Sequence, residues 1–423
     1  MVDITFIREN TNVIKKVSAD KLIPVDIDRL LALDSSLREL TTKIDTLRAE
    51  RNRMSKLIQT CSDAKEKESF AEKVRLLKSE LSEFETSARD IRVEFDDLML
   101  RVPSVPAPEV PIGKGEDDNV EIRRVGQIRD FGFPIRDHVE LCEIHNMLDV
   151  PRGVKVAGSR SYFLKNKAVF LEMALCRFVM DFLSTRGFTP MIVPQLVKEK
   201  AMQGTGYFPI GYDQAYSITE DELFLIGTSE VSLVSYHQDE IIPLSDLPLR
   251  YAGVSSCYRR EAGTYGKDTK GLYRVHQFQK VEQVVFCEAD YEKAEALHYE
   301  ILGNTEAILQ ALELPYRVCL ACTGEIGIGQ IRKHEVETWM PSREAYCETH
   351  SCSTLGDFQA RRSGIRYRDA NGDMRYVFTL NNTGIATPRI FIPLLENHQN
   401  SDGSITIPKA LRPYMNGVEV IQC

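Results

Sequence analysis

Residues 257–282 read CYRREAGTYGKDTKGLYRVHQFQKVE, and the fold turns on how this stretch is read. Its ends alternate apolar and polar residues as strands do, while Gly, Thr and Lys crowd the middle as turn residues do. The pattern predicts a long antiparallel β-hairpin. One strand then aims Arg259 at an anion, and the other presents Phe278 and Glu282 to neighbouring groups. A planar guanidinium suits phosphate or carboxylate, each charge-assisted bond contributing roughly 1.5–3 kcal/mol. The plainer alternative is a surface hairpin with solvated charges. Residues 119–423 mix strands and helices with the same hairpin patterning, which predicts an α+β domain around a large antiparallel sheet.

Upstream the pattern changes. Leu30, Leu33, Leu37, Leu40, Ile44, Leu47, Arg51, Met54 and Ile58 alternate steps of three and four, and Phe70, Val74, Leu77, Leu81, Phe84, Ala88, Ile91, Phe95 and Leu98 repeat the rhythm. Two such heptad seams, separated by the polar interval QTCSDAKEKES, predict an antiparallel helical coiled-coil hairpin over about residues 28–98. At 1.5 Å per residue, about 30 residues make an arm of roughly 45 Å. Arg48, Arg51, Arg53 and Lys56 cluster toward the far end of the first helix, near Arg75 and Lys78 of the second in an antiparallel pair. Such a patch suits a phosphate backbone, although solvated helix faces look similar. Residues 101–115, RVPSVPAPEVPIGKG, hold four prolines and cannot continue a helix. The expected division is therefore a domain over 1–100, a linker over 101–118 and a second domain over 119–423.

A chain of 423 residues can bury more than one core. Its net charge of −9 excludes a uniformly basic nucleic-acid binder, though not a local basic stripe. No apolar stretch is long enough to span a bilayer, and the first residues carry acidic side chains without an apolar signal region, so the cytoplasm is the expected compartment. Ten cysteines read as reduced thiols. Cys319 and Cys322 have C-x-x-C spacing, but Cys347 and Cys352 do not repeat it, and zinc is not expected. The run Arg53-Met54-Ser55-Lys56 looks like a class I synthetase lysine loop, yet Met54 occupies a heptad core position.

Four ordered segments then combine. They are GFTPMIVPQLV at 187–197, LIGTSEVSL at 225–233, the hairpin at 257–282, and a block from Trp339 to Arg389 containing WMPSREAYCETHSCSTLGDFQARR and TLNNTGIATPRIF. Together they resemble the seryl-tRNA synthetase family of class II aminoacyl-tRNA synthetases: motif 1, the TSE element, motif 2, and the block ending in motif 3. The resemblance implies ATP-dependent ligation of L-serine to tRNA(Ser) through a seryl-adenylate, and leaves tRNA(Sec) open as a second acceptor. It implies ATP and Mg²⁺, a homodimer built on motif 1, and an arm that grips tRNA.

Carried over residue by residue, the resemblance makes Arg259 and Arg389 catalytic, on the α- and γ-phosphate sides. Thr228, Ser229, Glu230, Arg259, Glu282, Asn381 and Thr383 fall at serine-binding positions. Arg259, Arg260, Glu261, Val275, Phe278, Glu348, Thr349, His350, Ser351 and Arg389 fall at ATP-binding positions, with Glu348 and Ser351 holding Mg²⁺. Arg48, Arg51, Arg53, Lys56, Arg75 and Lys78 of the arm, and Lys267 and Lys270 of the hairpin loop, are the expected tRNA contacts. The chain departs from the commoner pattern at Asn382-Thr383, where Gly-Ser is usual, and at Thr387-Pro388, where Val-Gly is usual. Neither removes a charged group. Three rivals remain: a paralogue that loads a carrier protein, a non-catalytic tRNA-binding module, and a structural coiled-coil protein. The retained arm argues against the first, Arg259, Glu348 and Arg389 against the second, and four ordered motifs against the third.

Overall fold

A computed structural model describes residues 1–263 and 271–423. The chain divides into two compact units, one of residues 2–19 and 23–103, the other of residues 104–423 with Met1 and residues 20–22.

The first unit is dominated by two long helices, α1 (Ile27–Thr60) and α2 (Ala64–Arg101), packed along each other. Asp26 starts α1 by accepting from the Arg29 amide at 2.8 Å, and Asp63 starts α2 by accepting from the Lys65 and Glu66 amides at 2.8 and 3.2 Å. Such caps satisfy amides that a helix start leaves unbonded. Leu30, Leu33, Ile44 and Met54 of α1 and Leu81 and Phe95 of α2 are buried, all of them heptad-seam positions. The connection is shorter than the polar interval suggested. Only Cys61, Ser62 and Asp63 lie between the helices, because the cap at Asp63 makes the polar run after it a solvated helix face.

The second unit is built on an eight-stranded sheet: β1 (Val120–Val125), β2 (Thr189–Ile192), β3 (Leu249–Tyr258), β4 (Gln277–Cys287), β5 (Tyr316–Leu320), β6 (Arg332–Met340), β7 (Ala345–Gly356) and β8 (Phe378–Thr387). Their order is β1-β5-β6-β7-β8-β4-β3-β2, antiparallel throughout except for β2 beside β3. The motif 2 hairpin is β3–β4, with Tyr258 opposite Gln277 and Gly253 opposite Glu282.

The two faces of the sheet carry different cores. Val281 and Val285 of β4 join one large cluster, and Val284 and Phe286 join another. Period-2 alternation thus puts Glu282 on the face of Val284 and Phe286. Against the first face pack α4 (Lys167–Thr185) and α5 (Tyr291–Ala311), which follow the short helix α3 (His138–Ile144) in the chain. The last helix of interest, α6 (Phe391–Asn397), is fully buried and lies against α3 and β6.

Candidate active site

Two irregularities shape the site. Between β4 and β8 the register runs from Val281↔Ile385 to Glu282↔Thr383, and between β6 and β7 from Val336↔His350 to Glu337↔Glu348. Each shift leaves one residue, Gly384 or Thr349, out of the strand register. A bulge breaks the strict alternation of faces, so the consecutive residues 348–351 all reach a single cleft of about 190 Å³.

Arg259, Glu261, Val275 and Phe278 from the motif 2 hairpin line that cleft. Glu348, Thr349, His350 and Ser351 from β7, and Thr383 and Arg389 from motif 3, complete the predicted part of its wall. The Arg259 guanidinium lies 5.2 Å from the centre of the Phe278 ring, and its backbone is tied by its amide to His276 O at 3.0 Å. A guanidinium over an aromatic face is held in place while its fork stays available. Arg389 Nη1 stands 3.5 Å from Glu348 Oε2, and its Nε donates to Tyr273 O at 3.3 Å. Burial alone pushes the Glu348 carboxyl up, but Lys333, Arg389 and Arg259 together hold it below the ordinary range. It is therefore ionised in neutral solution.

Behind the cleft lies a buried polar layer. Lys280, a cleft residue, pairs with Glu282 and reaches Thr228 Oγ1 at 3.4 Å. Glu230 Oε1 accepts from Gln359 Nε2 at 2.7 Å and Asn381 Nδ2 at 2.8 Å. Burial, with the Glu282 charge adding to it, pushes the Glu230 carboxyl up to about 7. Burial also raises Glu282, against the pull of Lys280 and Arg259. Ser229 Oγ donates to Gly253 O at 3.1 Å, and a Cβ at Gly253 would come within 2.8 Å of that hydroxyl oxygen.

Several predicted residues sit differently from the rest. The Arg260 side chain is exposed and does not line the cleft, its amide bonding Gln214 O. The Thr349 hydroxyl is engaged by Thr338 Oγ1 at 2.7 Å and Val336 O, inside the sheet. His350 is pulled down to about 3 by burial and Lys280, so it is neutral and brings no charge to a phosphate. In the arm, Arg48 pairs with Glu85 at 2.8 Å, and Arg51 bonds Asn52. Arg53, Lys56, Arg75 and Lys78 are exposed. Lys267 and Lys270 lie outside the described residues.

The sequence reading missed Lys280 and Tyr273. Lys280 was visible, since it lies two residues before Glu282 on a strand and so shares its face. Tyr273 had no such signal; its ring centre lies 4.3 Å from the Arg343 guanidinium and 4.5 Å from that of Arg389.

Residues 215–398 match the tRNA synthetase class II core domain of the G, H, P, S and T enzymes, and residues 1–106 match the seryl-tRNA synthetase N-terminal domain. A serine–tRNA ligase of Deinococcus radiodurans is 46% identical over 421 residues, covering 100% of this chain and 99% of the relative. The crystal structure of seryl-tRNA synthetase from Pyrococcus horikoshii complexed with ATP superposes with a TM-score of 0.90 at 37% identity, covering 100% of this chain and 99% of the other. A cytoplasmic serine–tRNA ligase from Naegleria fowleri, in complex with AMP, gives 0.86 at 29%, with the same coverage of both chains. With both domains matched and relatives aligned end to end, the chain belongs to the seryl-tRNA synthetase family.

Proposed function

We propose that this chain activates L-serine with ATP and transfers it to tRNA(Ser). The observation that carries the reading is that Arg259, Glu348 and Arg389, distant in sequence, line one cleft whose Lys280 pairs with Glu282 behind it. In this reading adenine lies on Phe278, Arg259 bridges the serine carboxylate and the α-phosphate, and Arg389 meets the γ-phosphate. Glu230, in its ionised form, receives the serine ammonium group, while Glu282 and Thr383, opposite each other across β4 and β8, take the side-chain hydroxyl.

The serine carboxylate oxygen attacks the α-phosphorus in line, a new P–O bond forms, and the bond to pyrophosphate breaks. No protein nucleophile is needed. The residues position the reactants and neutralise the negative charge that develops, which Arg259 and Arg389 do as fixed cations. The tRNA ribose hydroxyl then attacks the serine carbonyl carbon, and AMP leaves.

Glu348 and Ser351 offer one ionised carboxylate and one hydroxyl at the cleft, an oxygen-only pair that fits Mg²⁺, which takes few protein ligands and fills its shell with phosphate and water. When bound, the ion neutralises phosphate charge. The basic residues of the arm take the tRNA backbone. The chain forms a homodimer through motif 1, where Ile192 is 86% exposed, and the preceding helix α4, where Phe170 and Met173 are 55% and 64% exposed. Large apolar side chains left this exposed are candidates for an interaction surface.

Exchange of labelled pyrophosphate into ATP tests the reading. Exchange that depends on serine and proceeds without tRNA, together with charging of tRNA(Ser), is the expected result. Exchange without tRNA charging would favour a carrier-loading paralogue, and no exchange would leave a binding module.

A further inference from the structure

A buried pair outside the cleft lining, His138 and Glu396, is linked through Leu272 to Tyr273. Asp137 caps α3, accepting from the Val139 and Glu140 amides at 2.9 Å each, while Glu140 reaches back to the Asp137 amide. This closed capping box leaves the His138 amide outside the helical bonds, and it donates instead to Glu396 Oε1 at 3.0 Å. His138 Nδ1 lies 3.0 Å from the same oxygen. A carboxylate only accepts, so Nδ1 carries the proton and Nε2 is the acceptor. Nε2 receives the amide of Leu272 at 3.3 Å. The fit is tight: Gly271 has φ +78°, and a Cβ there would stand 2.2 Å from Nε2.

Glu396 sits on α6, seven residues after Arg389, and is fully buried. Its carboxylate also accepts from the Ser342 amide and hydroxyl, each at 2.9 Å. One carboxylate thus fixes two segments. Through His138 it holds Leu272, whose neighbour Tyr273 supplies a carbonyl and a ring to Arg389; through Ser342 it holds the turn carrying Arg343, which meets the same ring. Nothing else in the proposed chemistry uses His138 or Glu396.

We propose that His138, oriented by Glu396, is a positioning residue that sets Tyr273 and thereby aims Arg389 at the polyphosphate end of ATP. This rests on the reading of Arg389 as an ATP-side group. Without the Nε2 acceptor, the Leu272 amide loses its buried partner, the segment before Tyr273 shifts, and the guanidinium loses its seat. Serine, held by the buried layer around Glu230 and Glu282, is untouched.

The test is serine-dependent pyrophosphate exchange with ATP and serine varied separately, in wild type, His138→Ala, His138→Gln and Gly271→Ala. Emission from the single tryptophan, Trp339, and the melting temperature report the fold. For His138→Ala the expected result is a fall of about tenfold in kcat/KM for ATP, with KM for serine within about twofold of wild type. His138→Gln, whose side-chain carbonyl can accept the Leu272 amide, recovers most of the loss. Gly271→Ala, which forces a methyl against Nε2, reproduces it with both His138 and Glu396 still in place in the sequence. ATP parameters unchanged in His138→Ala and Gly271→Ala would overturn the proposal, as would equal losses for both substrates or a Gln variant no better than Ala. A wild-type chain without serine-dependent exchange would instead overturn the reading of the site itself.

Discussion

Glu230 carries two demands at once, and they pull its proton in opposite directions. In the folded chain, burial and the Glu282 charge keep it protonated up to about pH 7, whereas an unfolded chain releases that proton in the ordinary carboxylate range. Between those limits the folded state binds more protons, so this group's contribution to stability falls as pH rises. Glu230→Gln should therefore raise the melting temperature more at pH 8 than at pH 5, as calorimetry can check. Serine binding needs the ionised form. Its affinity should drop by roughly tenfold per pH unit below about 7, and the Gln variant should bind weakly at every pH. Glu282→Ala should abolish serine activation while ATP affinity stays within a few-fold, since the lost group faces the hydroxyl side; exchange near wild-type level would refute that assignment. A pocket that hydrogen-bonds the hydroxyl rejects alanine by up to about 10⁴–10⁵. Glu230 and Glu282 were legible because each stands in a motif. Lys280 could have been found from its spacing to Glu282 on one strand face, whereas Gln359, a single glutamine in a helix, carries no pattern of its own.

At the level of elements, the departure at Asn382-Thr383 finds a structural account. Asn382 turns away from the cleft and donates to Thr305 Oγ1 of α5 at 2.9 Å and also to Ile301 O. Thr305 in turn donates to Thr383 O at 2.8 Å. The strand that presents Thr383 is thus stitched to the helix behind it. Thr305→Val removes both bonds while keeping the shape, and should raise KM for serine several-fold with KM for ATP unchanged in the exchange assay. The arm is a separable case: removing residues 34–90 should spare adenylate formation and abolish tRNA charging, and equal charging by both forms would take tRNA gripping from it. The coiled coil was legible because its signal is local, a seam repeated along each helix. Its tip was misread because polar helix faces and loops share a composition. The sheet order was not legible, since β1 beside β5 and β8 between β7 and β4 are pairings between distant segments that periodicity does not encode. Nor were the two bulges, on which the shape of the cleft depends.

For the whole molecule, the exposed apolar residues of α4 and motif 1 predict a particle of twice 48.1 kDa by sedimentation, and Ile192→Glu should shift it toward the monomer. The net charge of −9 leaves tRNA attraction to local basic patches, so charging should weaken with added salt more steeply than amino-acid activation does. All of these roles require the adenylate to lie in one place. A crystal structure with a non-hydrolysable seryl-adenylate analogue tests this most directly. The base should stack on Phe278, the phosphate mimic should meet Arg259, and the serine hydroxyl should lie within hydrogen-bond distance of Glu282. An analogue bound elsewhere, or bound in this cleft with its serine moiety turned away from Glu230 and Glu282, would contradict it.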